Sequence, residues 1–151
     1  MLFRGQYTHS VDQKGRVSLP ARIRDVLLAD GDSRYVITPD PSDPCLHLHP
    51  LRRWEEYEQA VSRLPRHDRR IVRFRRIYVS AAQEGELDKV GRIRLAPEFR
   101  DRIRLEGKDV VFAGMGPLVE IWSKPLWQEE LEKSERDAPQ ILDEVQELIQ
   151  L

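Results

Sequence analysis

The residues of this sequence with the clearest chemical potential are two aspartates, each four positions before an arginine. Asp12 precedes Gly15-Arg16, and Asp88 precedes Gly91-Arg92. A carboxylate and a guanidinium at this spacing around a tight turn predict an ion pair that fixes the register of a β-hairpin. If exposed, such a pair contributes well under about 1 kcal/mol. The same turn would hold its arginine on a rigid β edge, where arginine and lysine can bind guanine O6 and N7 or a phosphate.

Both Asp–Arg pairs belong to an internal repeat with an offset of 76 residues. The segment 12–19 aligns with 88–95, and after a short contraction in the second copy the segment 46–49 lies opposite 119–122. The further aligned pairs are Ile23 with Phe99, Arg24 with Arg100, Asp25 with Asp101, Gly31 with Gly107, Val36 with Phe112 and Trp54 with Trp127. A colinear series of this length is hard to attribute to chance, so the repeat predicts two copies of one small module.

Each copy predicts the order strand, turn, strand, short helix, strand, strand. The turn contains Lys14-Gly15 or Val90-Gly91, where glycine can adopt the positive φ that a hairpin requires. Pro20 or Pro97 then starts the short helix, because proline is tolerated in a first helical turn. The predicted strands are 6–11, 16–19, 35–37 and 46–49 in the first copy, and 83–87, 92–95, 110–112 and 118–122 in the second.

Three further helices are predicted outside the repeated elements. The first spans 51–64, with Trp54, Tyr57, Val61 and Leu64 at helical spacing. The second spans 66–82 and carries arginines along one side, at Arg66, Arg69, Arg70, Arg73 and Arg76. Those arginines fit a subunit contact, a solvated face or a contact with DNA, and the sequence leaves the three open.

The third helix is C-terminal, with Pro139 placed near its start. Its apolar stripe consists of Ile141, Leu142, Val145, Leu148 and Ile149. This stripe predicts packing within the protein or across a subunit interface. A membrane contact is not expected, because the polar side of the helix is acidic.

These elements predict an α+β fold of two pseudo-two-fold related β-rich modules with packed helices and a C-terminal helix. The predicted bounds are 5–52 for module 1, 53–80 for a helical connector, 81–124 for module 2 and 125–151 for the C-terminal helical region.

Charge is divided unevenly along the chain, although the net charge is only −1. Residues 1–104 contain 21 Lys and Arg against 15 Asp and Glu, whereas residues 105–151 contain 4 against 11. A basic body can bind phosphates while the acidic end stays clear of them.

Cys45 is the only cysteine, which excludes an intrachain disulfide and indicates a reducing compartment. The N-terminus lacks the features of a signal peptide, so we expect a cytoplasmic location.

Three other patterns in the sequence have residues that could form a site of chemistry. Cys45-x-His47-x-His49 would place possible metal ligands on one face of a strand, but simple alternation explains it, with Leu46 and Leu48 in the core and polar groups outside. The segment 114–117 lacks the Lys-Ser/Thr of a phosphate loop and predicts a hairpin turn. No nucleophile has triad context, and Asp12 and Asp88 each have an arginine to neutralise them. We therefore expect no catalytic residue, metal, cofactor or small-molecule substrate.

The motifs resemble those of the MraZ family, bacterial regulators built from two SpoVT-AbrB-type swapped-hairpin modules. The resemblance covers roughly residues 3–127. It rests on Phe3-Arg4-Gly5, Asp12-x-Lys14-Gly15-Arg16 and Pro20 in the first copy, and on Asp88-x-x-Gly91-Arg92-Ile93, Pro97, Arg100, Gly114 and Glu120-Ile121-Trp122 in the second.

The resemblance implies interleaved modules, a ring-like homo-oligomer and binding to double-stranded DNA at promoter-proximal tandem repeats. It further implies transcription regulation, commonly repression, of the division and cell-wall gene cluster, with association to the nucleoid. The positions that it assigns to DNA are Lys14, Arg16 and Arg92, joined in our prediction by Lys89, Arg94 and Arg4. Val90 replaces the lysine of the first turn, a departure for which Lys89 and Arg94 could compensate.

A second hypothesis is an antitoxin-like or scaffold protein whose modules mainly bind another protein. The C-terminal segment distinguishes the two hypotheses. An antitoxin of this kind would hold its toxin with a disordered polar tail, whereas the pattern here predicts an amphipathic helix and so favours the DNA-binding regulator.

Overall fold

A six-stranded antiparallel sheet dominates the computed structural model, which describes residues 1–150. Its strand order is β1-β7-β8-β4-β3-β5, and β2 and β6 form a separate two-stranded ribbon. The strands are β1 (Gln6–Ser10), β2 (Arg16–Ser18), β3 (Arg34–Pro39), β4 (Leu46–Pro50), β5 (Gln83–Glu86), β6 (Arg92–Arg94), β7 (Asp109–Gly114) and β8 (Val119–Ser123). The helices are α1 (Ala21–Leu27), α2 (Leu51–Ser62), α3 (Arg69–Phe74), α4 (Pro97–Arg102) and α5 (Lys124–Ile149). The predicted α+β class is confirmed.

The two copies of the repeat exchange strands about a pseudo-two-fold axis. β1 of the first copy pairs with β7 of the second, and β5 of the second copy pairs with β3 of the first. The axis passes between β4 and β8, which are equivalent strands of the two copies and pair directly. The sheet is therefore one continuous unit to which each copy contributes three strands.

The prediction of a local hairpin within each copy is wrong in its strand pairing. β2 pairs with β6 and not with β1, in a register that places Val17 opposite Ile93. Both side chains are only 1% exposed. A three-residue strand has one side chain to bury, and pairing the two second strands buries both of these side chains in the same core.

One hydrophobic core lies between the ribbon, α1, α4 and the inner face of the sheet. It draws on both copies, since Val17, Ile23 and Leu46 share it with Ile93 and Phe112. The module bounds 5–52 and 81–124 therefore describe the repeat in the sequence and stay a prediction about folding units.

The outer face of the sheet is also covered, which corrects one prediction. Leu51 and Trp54 of α2 pack with Val36 and Tyr78 in a second, smaller cluster. Leu46 and Leu48 do face the main core, but His49 on the opposite face is buried and not directed to water. The alternation of side chains along β4 shows that the strand has two faces. It does not show that α2 and the segment containing Tyr78 cover the outer face, because these lie elsewhere in the sequence.

The helix predicted over 66–82 is shorter in the structure, and it changes from α-helical to π-helical along its length. α3 begins after Asp68, whose carboxylate accepts a hydrogen bond from the Arg70 backbone N–H as an N-cap. The helix continues as a π-helical segment, Arg75–Val79. This places Tyr78 over the sheet, where it stacks with Phe74 at 5.2 Å between ring centroids.

The C-terminal helix starts earlier than expected. α5 begins at Lys124 with Pro125 in its first turn, and Pro139, predicted to lie near a helix start, is inside the helix. Trp127 contacts Trp122 of β8 edge-on at 5.9 Å, so the first turns pack on the sheet while the rest extends away. The apolar stripe of α5 is exposed, and nothing within residues 1–150 covers it.

Within residues 1–150, no helix combines the length and the apolar character needed to cross a membrane.

Because the ribbon joins both copies to one core, Ile93→Ala should destabilise the whole chain. We expect the unfolding free energy to fall by about 2–5 kcal/mol, measured by urea denaturation with tryptophan fluorescence and circular dichroism in parallel. Ile77→Ala, at an exposed position, is the matched control and should change it by less than about 0.5 kcal/mol. Two separate transitions would contradict a shared core.

Candidate nucleic-acid interface

The outer face of the β2–β6 ribbon carries a cluster of arginines. Arg16 lies opposite Arg94 and Ser18 lies opposite Arg92, while the residues between them point into the core. Three of the four outward positions are therefore arginines, and none of these side chains is buried. Like charges opposite each other on a sheet repel, so this face is suited to an anionic partner. We call these three arginines the ribbon arginines.

Each turn beside the ribbon is organised by its aspartate. The Oδ1 atom of Asp12 accepts hydrogen bonds from the backbone N–H groups of Lys14 and Arg16, both at 2.9 Å. Asp88 accepts from Val90 at 3.0 Å and from Arg92 at 2.9 Å in the same way. The backbone hydrogen bond from Arg16 is the largest cause of the lowered pKa of Asp12, and that from Arg92 of the lowered pKa of Asp88.

The second oxygen of each carboxylate holds an arginine side chain. Arg16 Nε donates to Asp12 Oδ2 at 2.9 Å, and Arg92 Nε donates to Asp88 Oδ2 at 2.7 Å. These are the predicted ion pairs, although the aspartates sit in the turns and not on a paired strand. Within the described residues these are the hydrogen bonds that the two guanidinium groups make, so their terminal nitrogens stay available for a ligand. An anchored guanidinium loses less side-chain entropy on binding.

The turn glycines connect each turn to the opposite copy. Gly15 and Gly91 have φ values of +82° and +81°. The carbonyl of Gly15 accepts from the Leu95 N–H at 2.7 Å, and that of Gly91 accepts from the Leu19 N–H at 3.0 Å. The two turns therefore flank opposite ends of the ribbon, and each is hydrogen-bonded to the residue that directly follows the ribbon strand of the other copy.

Two arginines that we did not single out as site residues lie beneath the turns. Arg100 packs under Gly15, and Arg24 packs under Gly91, in each case from the helix of the opposite copy. The Nε of Arg100 is buried without a hydrogen-bond partner in the described part of the chain. The repeat aligned Arg24 with Arg100, so their equivalence was visible, but their place below the turns depends on the strand exchange.

The remaining predicted site residues divide into two groups. Lys14 and Lys89 are exposed in the turns at the two ends of the ribbon, and Val90 is exposed where the first turn has its lysine. Arg4 is not brought to this face. It precedes β1 next to the bridge between Phe3 and Gly116, whereas the Asp12 turn follows the other end of β1.

Comparison with known proteins gives a consistent family assignment. A family model described as "MraZ protein, putative antitoxin-like" matches residues 2–76 and 78–146. A transcriptional regulator MraZ from Nitrosococcus oceani is 39% identical over 141 residues, which cover 93% of this chain and 94% of that protein. One from Marinomonas sp. is 42% identical over 131 residues, covering 87% and 86%. One from Thermoanaerobacter pseudethanolicus is 38% identical over 144 residues, covering 95% and 96%.

Close packing at the first turn predicts a large effect of Gly15→Ala. A Cβ atom at Gly15 would lie 2.5 Å from the backbone oxygen of Leu95, whereas one at Gly31, also at positive φ, would meet nothing within 4 Å. We expect Gly31→Ala to cost roughly 1–2 kcal/mol from backbone strain alone, and Gly15→Ala to cost a further 1–3 kcal/mol or so from crowding. Urea denaturation measures the unfolding free energy of both variants, and equal losses would show that the turn is not packed against the backbone at Leu95.

Proposed function

The chain belongs to the MraZ family, and we propose that it regulates transcription by binding double-stranded DNA. The three relatives compared above all carry the name transcriptional regulator. The observation that carries the proposal is the outer face of the ribbon, where Arg16, Arg92 and Arg94 project from two paired strands. A two-stranded ribbon fits the major groove of B-DNA, and an arginine there can donate two hydrogen bonds to guanine.

In this proposal the ribbon arginines bind base edges and the turns bind the DNA backbone. Arg16 and Arg92 are already held through Nε by Asp12 and Asp88, and their terminal nitrogens supply the paired donors. Lys14 and Lys89 lie on opposite ends of the ribbon, each exposed and within a turn, where phosphates flanking the groove would be reached. Arg4 lies away from the ribbon and has no part in base recognition here.

The two ends of the ribbon differ in their charge. The first turn has Lys14 where the second has Val90, and the second turn has Lys89 one position earlier. The phosphate contacts of the two turns are therefore not equivalent, and Arg94 adds positive charge to the outer face. Phosphate contacts carry no base sequence, so the asymmetry that matters for recognition is that Arg94 of the second copy stands where the first copy has Ser18.

We further propose that the protein acts as a ring-like homo-oligomer on tandem repeats upstream of the division and cell-wall gene cluster. Several ribbons on one particle would gain affinity from effective concentration, and occupancy of the promoter would repress transcription. The exposed stripe of α5 supports assembly, because apolar patches of this kind mark interaction surfaces. The exposed arginines of α3 offer a second contact, with the acidic side of a neighbouring α5. A cytoplasmic, nucleoid-associated location follows from this role.

Arg16→Ala should remove recognition of specific DNA while leaving the fold intact. Loss of a bidentate arginine–guanine contact costs about 1–3 kcal/mol, so we expect affinity for the DNA upstream of the gene to fall towards that for scrambled DNA. Fluorescence anisotropy on both DNAs measures the ratio. Arg52→Ala is the control with equal charge, since Arg52 is exposed on α2, on the other face of the sheet. Equal losses in both variants would mean that Arg16 contributes only charge.

Val145→Lys should reduce the number of subunits by placing a charge in the stripe. Gln146→Lys adds the same charge next to the stripe and should leave the assembly unchanged. Sedimentation equilibrium at several concentrations gives the mass of each. A wild-type chain that is monomeric, and that co-purifies with one stoichiometric small protein, would instead favour the antitoxin-like hypothesis.

A further inference from the structure

A buried group of possible metal ligands lies where the two copies of the repeat meet. His47 of β4 and Glu120 of β8 are directly opposite in the pairing of these strands. They are also equivalent positions of the repeat, so they face each other across the pseudo-two-fold axis. Asp40, just after β3, and Cys45, just before β4, complete the group.

The four side chains converge on one point. One ligand atom from each lies within 4.8 Å of the others. His47 Nε2 is 2.7 Å from Asp40 Oδ2 and 4.0 Å from Glu120 Oε2. Cys45 is fully buried, Asp40 is buried, and the other two are largely covered. Donors around a tetrahedral Zn²⁺ lie roughly 3–4 Å apart. The wider separations in the group would have to shorten slightly, and His47 Nε2 and Asp40 Oδ2, which are hydrogen-bonded at 2.7 Å, would have to move apart as the cation replaces the proton between them.

Three of the four side chains use a second polar atom, on the side away from the group, to bond to a neighbour. On the near side, His47 Nε2 and Asp40 Oδ2 bond to each other. His47 Nδ1 bonds to the Tyr78 hydroxyl at 2.7 Å. Asp40 Oδ1 accepts from the backbone N–H groups of Ser42 and Asp43 at 2.8 and 2.7 Å. Glu120 Oε1 accepts from Trp122 Nε1 at 3.0 Å. Such outer contacts orient ligands in metal sites and contribute to their affinity.

The types of donor decide which cation fits. A thiolate, an imidazole and two carboxylates form a mixed sulfur, nitrogen and oxygen set of the kind that Zn²⁺ binds. Mg²⁺ and Ca²⁺ prefer oxygen ligands alone. Although burial disfavours an ionised Asp40, the N–H groups of Asp43 and Ser42 together with His47 lower its pKa. Burial raises the pKa of Cys45, so its thiolate would form as the cation binds.

This set differs from the Cys45-x-His47-x-His49 pattern in the sequence. His49 Nε2 bonds to the Tyr78 hydroxyl at 2.9 Å and lies outside the group. The second copy has Leu118, Glu120 and Trp122 at the equivalent positions. The repeat therefore provides one such group per chain, at the joint and not in each module.

We propose that Asp40, Cys45, His47 and Glu120 form a zinc site that joins the two copies of the repeat. Three ligands come from the first copy and Glu120 comes from the second. A bound cation would therefore tie β8 to β4 at the centre of the sheet and stabilise the pairing of the two halves. The proposal is independent of DNA binding.

The test is a metal titration of the untagged full-length protein. Competition with a chromogenic chelator should show one Zn²⁺ per chain, and Co²⁺ should give a thiolate-to-metal charge-transfer band. Cys45→Ser should abolish that band, and both Cys45→Ser and Glu120→Gln should weaken Zn²⁺ binding by more than about 10-fold. Glu120→Gln conserves the size of the side chain, so it keeps the test valid if Cys45→Ser fails to fold. Zn²⁺ should also raise the melting temperature of the wild type more than that of Cys45→Ser or Glu120→Gln.

His67→Gln is the matched control, since His67 is an exposed histidine away from the group. It should bind Zn²⁺ as the wild type does. The proposal is overturned if the wild type takes up no stoichiometric Zn²⁺. It is equally overturned if Cys45→Ser and Glu120→Gln bind with unchanged affinity, or if His67→Gln abolishes binding.

Discussion

The antiparallel contact between β2 and β6 is short, yet the position of almost every other functional element depends on it. It buries Val17 against Ile93 and thereby joins the two copies in one core. The same pairing turns Arg16, Arg92 and Arg94 outward, because side chains alternate along a strand. It also draws each turn against the opposite copy through the carbonyls of Gly15 and Gly91. A single apolar pair thus determines the geometry of the charged face.

Electrostatics explains why that face has both aspartates and arginines. Three guanidinium groups on two short strands repel one another, and the two aspartates offset part of this repulsion in the free protein. Because the aspartates also bind backbone N–H groups of their own turns, they remain in place when a guanidinium binds a ligand. A polyanion would offset the rest of the repulsion, which gives binding a steep dependence on salt. The outer face of the ribbon is therefore more stable with a polyanion bound than without one.

Local features were predictable from the sequence, and pairing between distant segments was not. The turns at Gly15 and Gly91 and the helix starts at Pro20 and Pro97 follow from short-range chemistry, and the structure places them where expected. The alternation of Arg16, Val17 and Ser18 identifies a buried side, but a three-residue strand does not identify its partner. Pro139 is a misleading signal, because α5 continues through it although proline in a helix interior removes a backbone hydrogen bond and costs about 3 kcal/mol. Asp40 and Glu120 join Cys45 and His47 only through the sheet, so no spacing rule could connect them.

The central claim is that the outer face of the ribbon binds DNA in a sequence-dependent manner. The most direct test is a titration of the purified protein with the DNA upstream of its own gene and with scrambled DNA of equal length, at several salt concentrations. We expect tight binding to the upstream DNA only. Its affinity should fall steeply as the salt concentration rises, because the counterions that the protein displaces from DNA are then released with a smaller gain in free energy. Equal and weak binding to both DNAs would contradict the account, because the ribbon arginines would then be a general basic surface and a protein partner would be the better explanation.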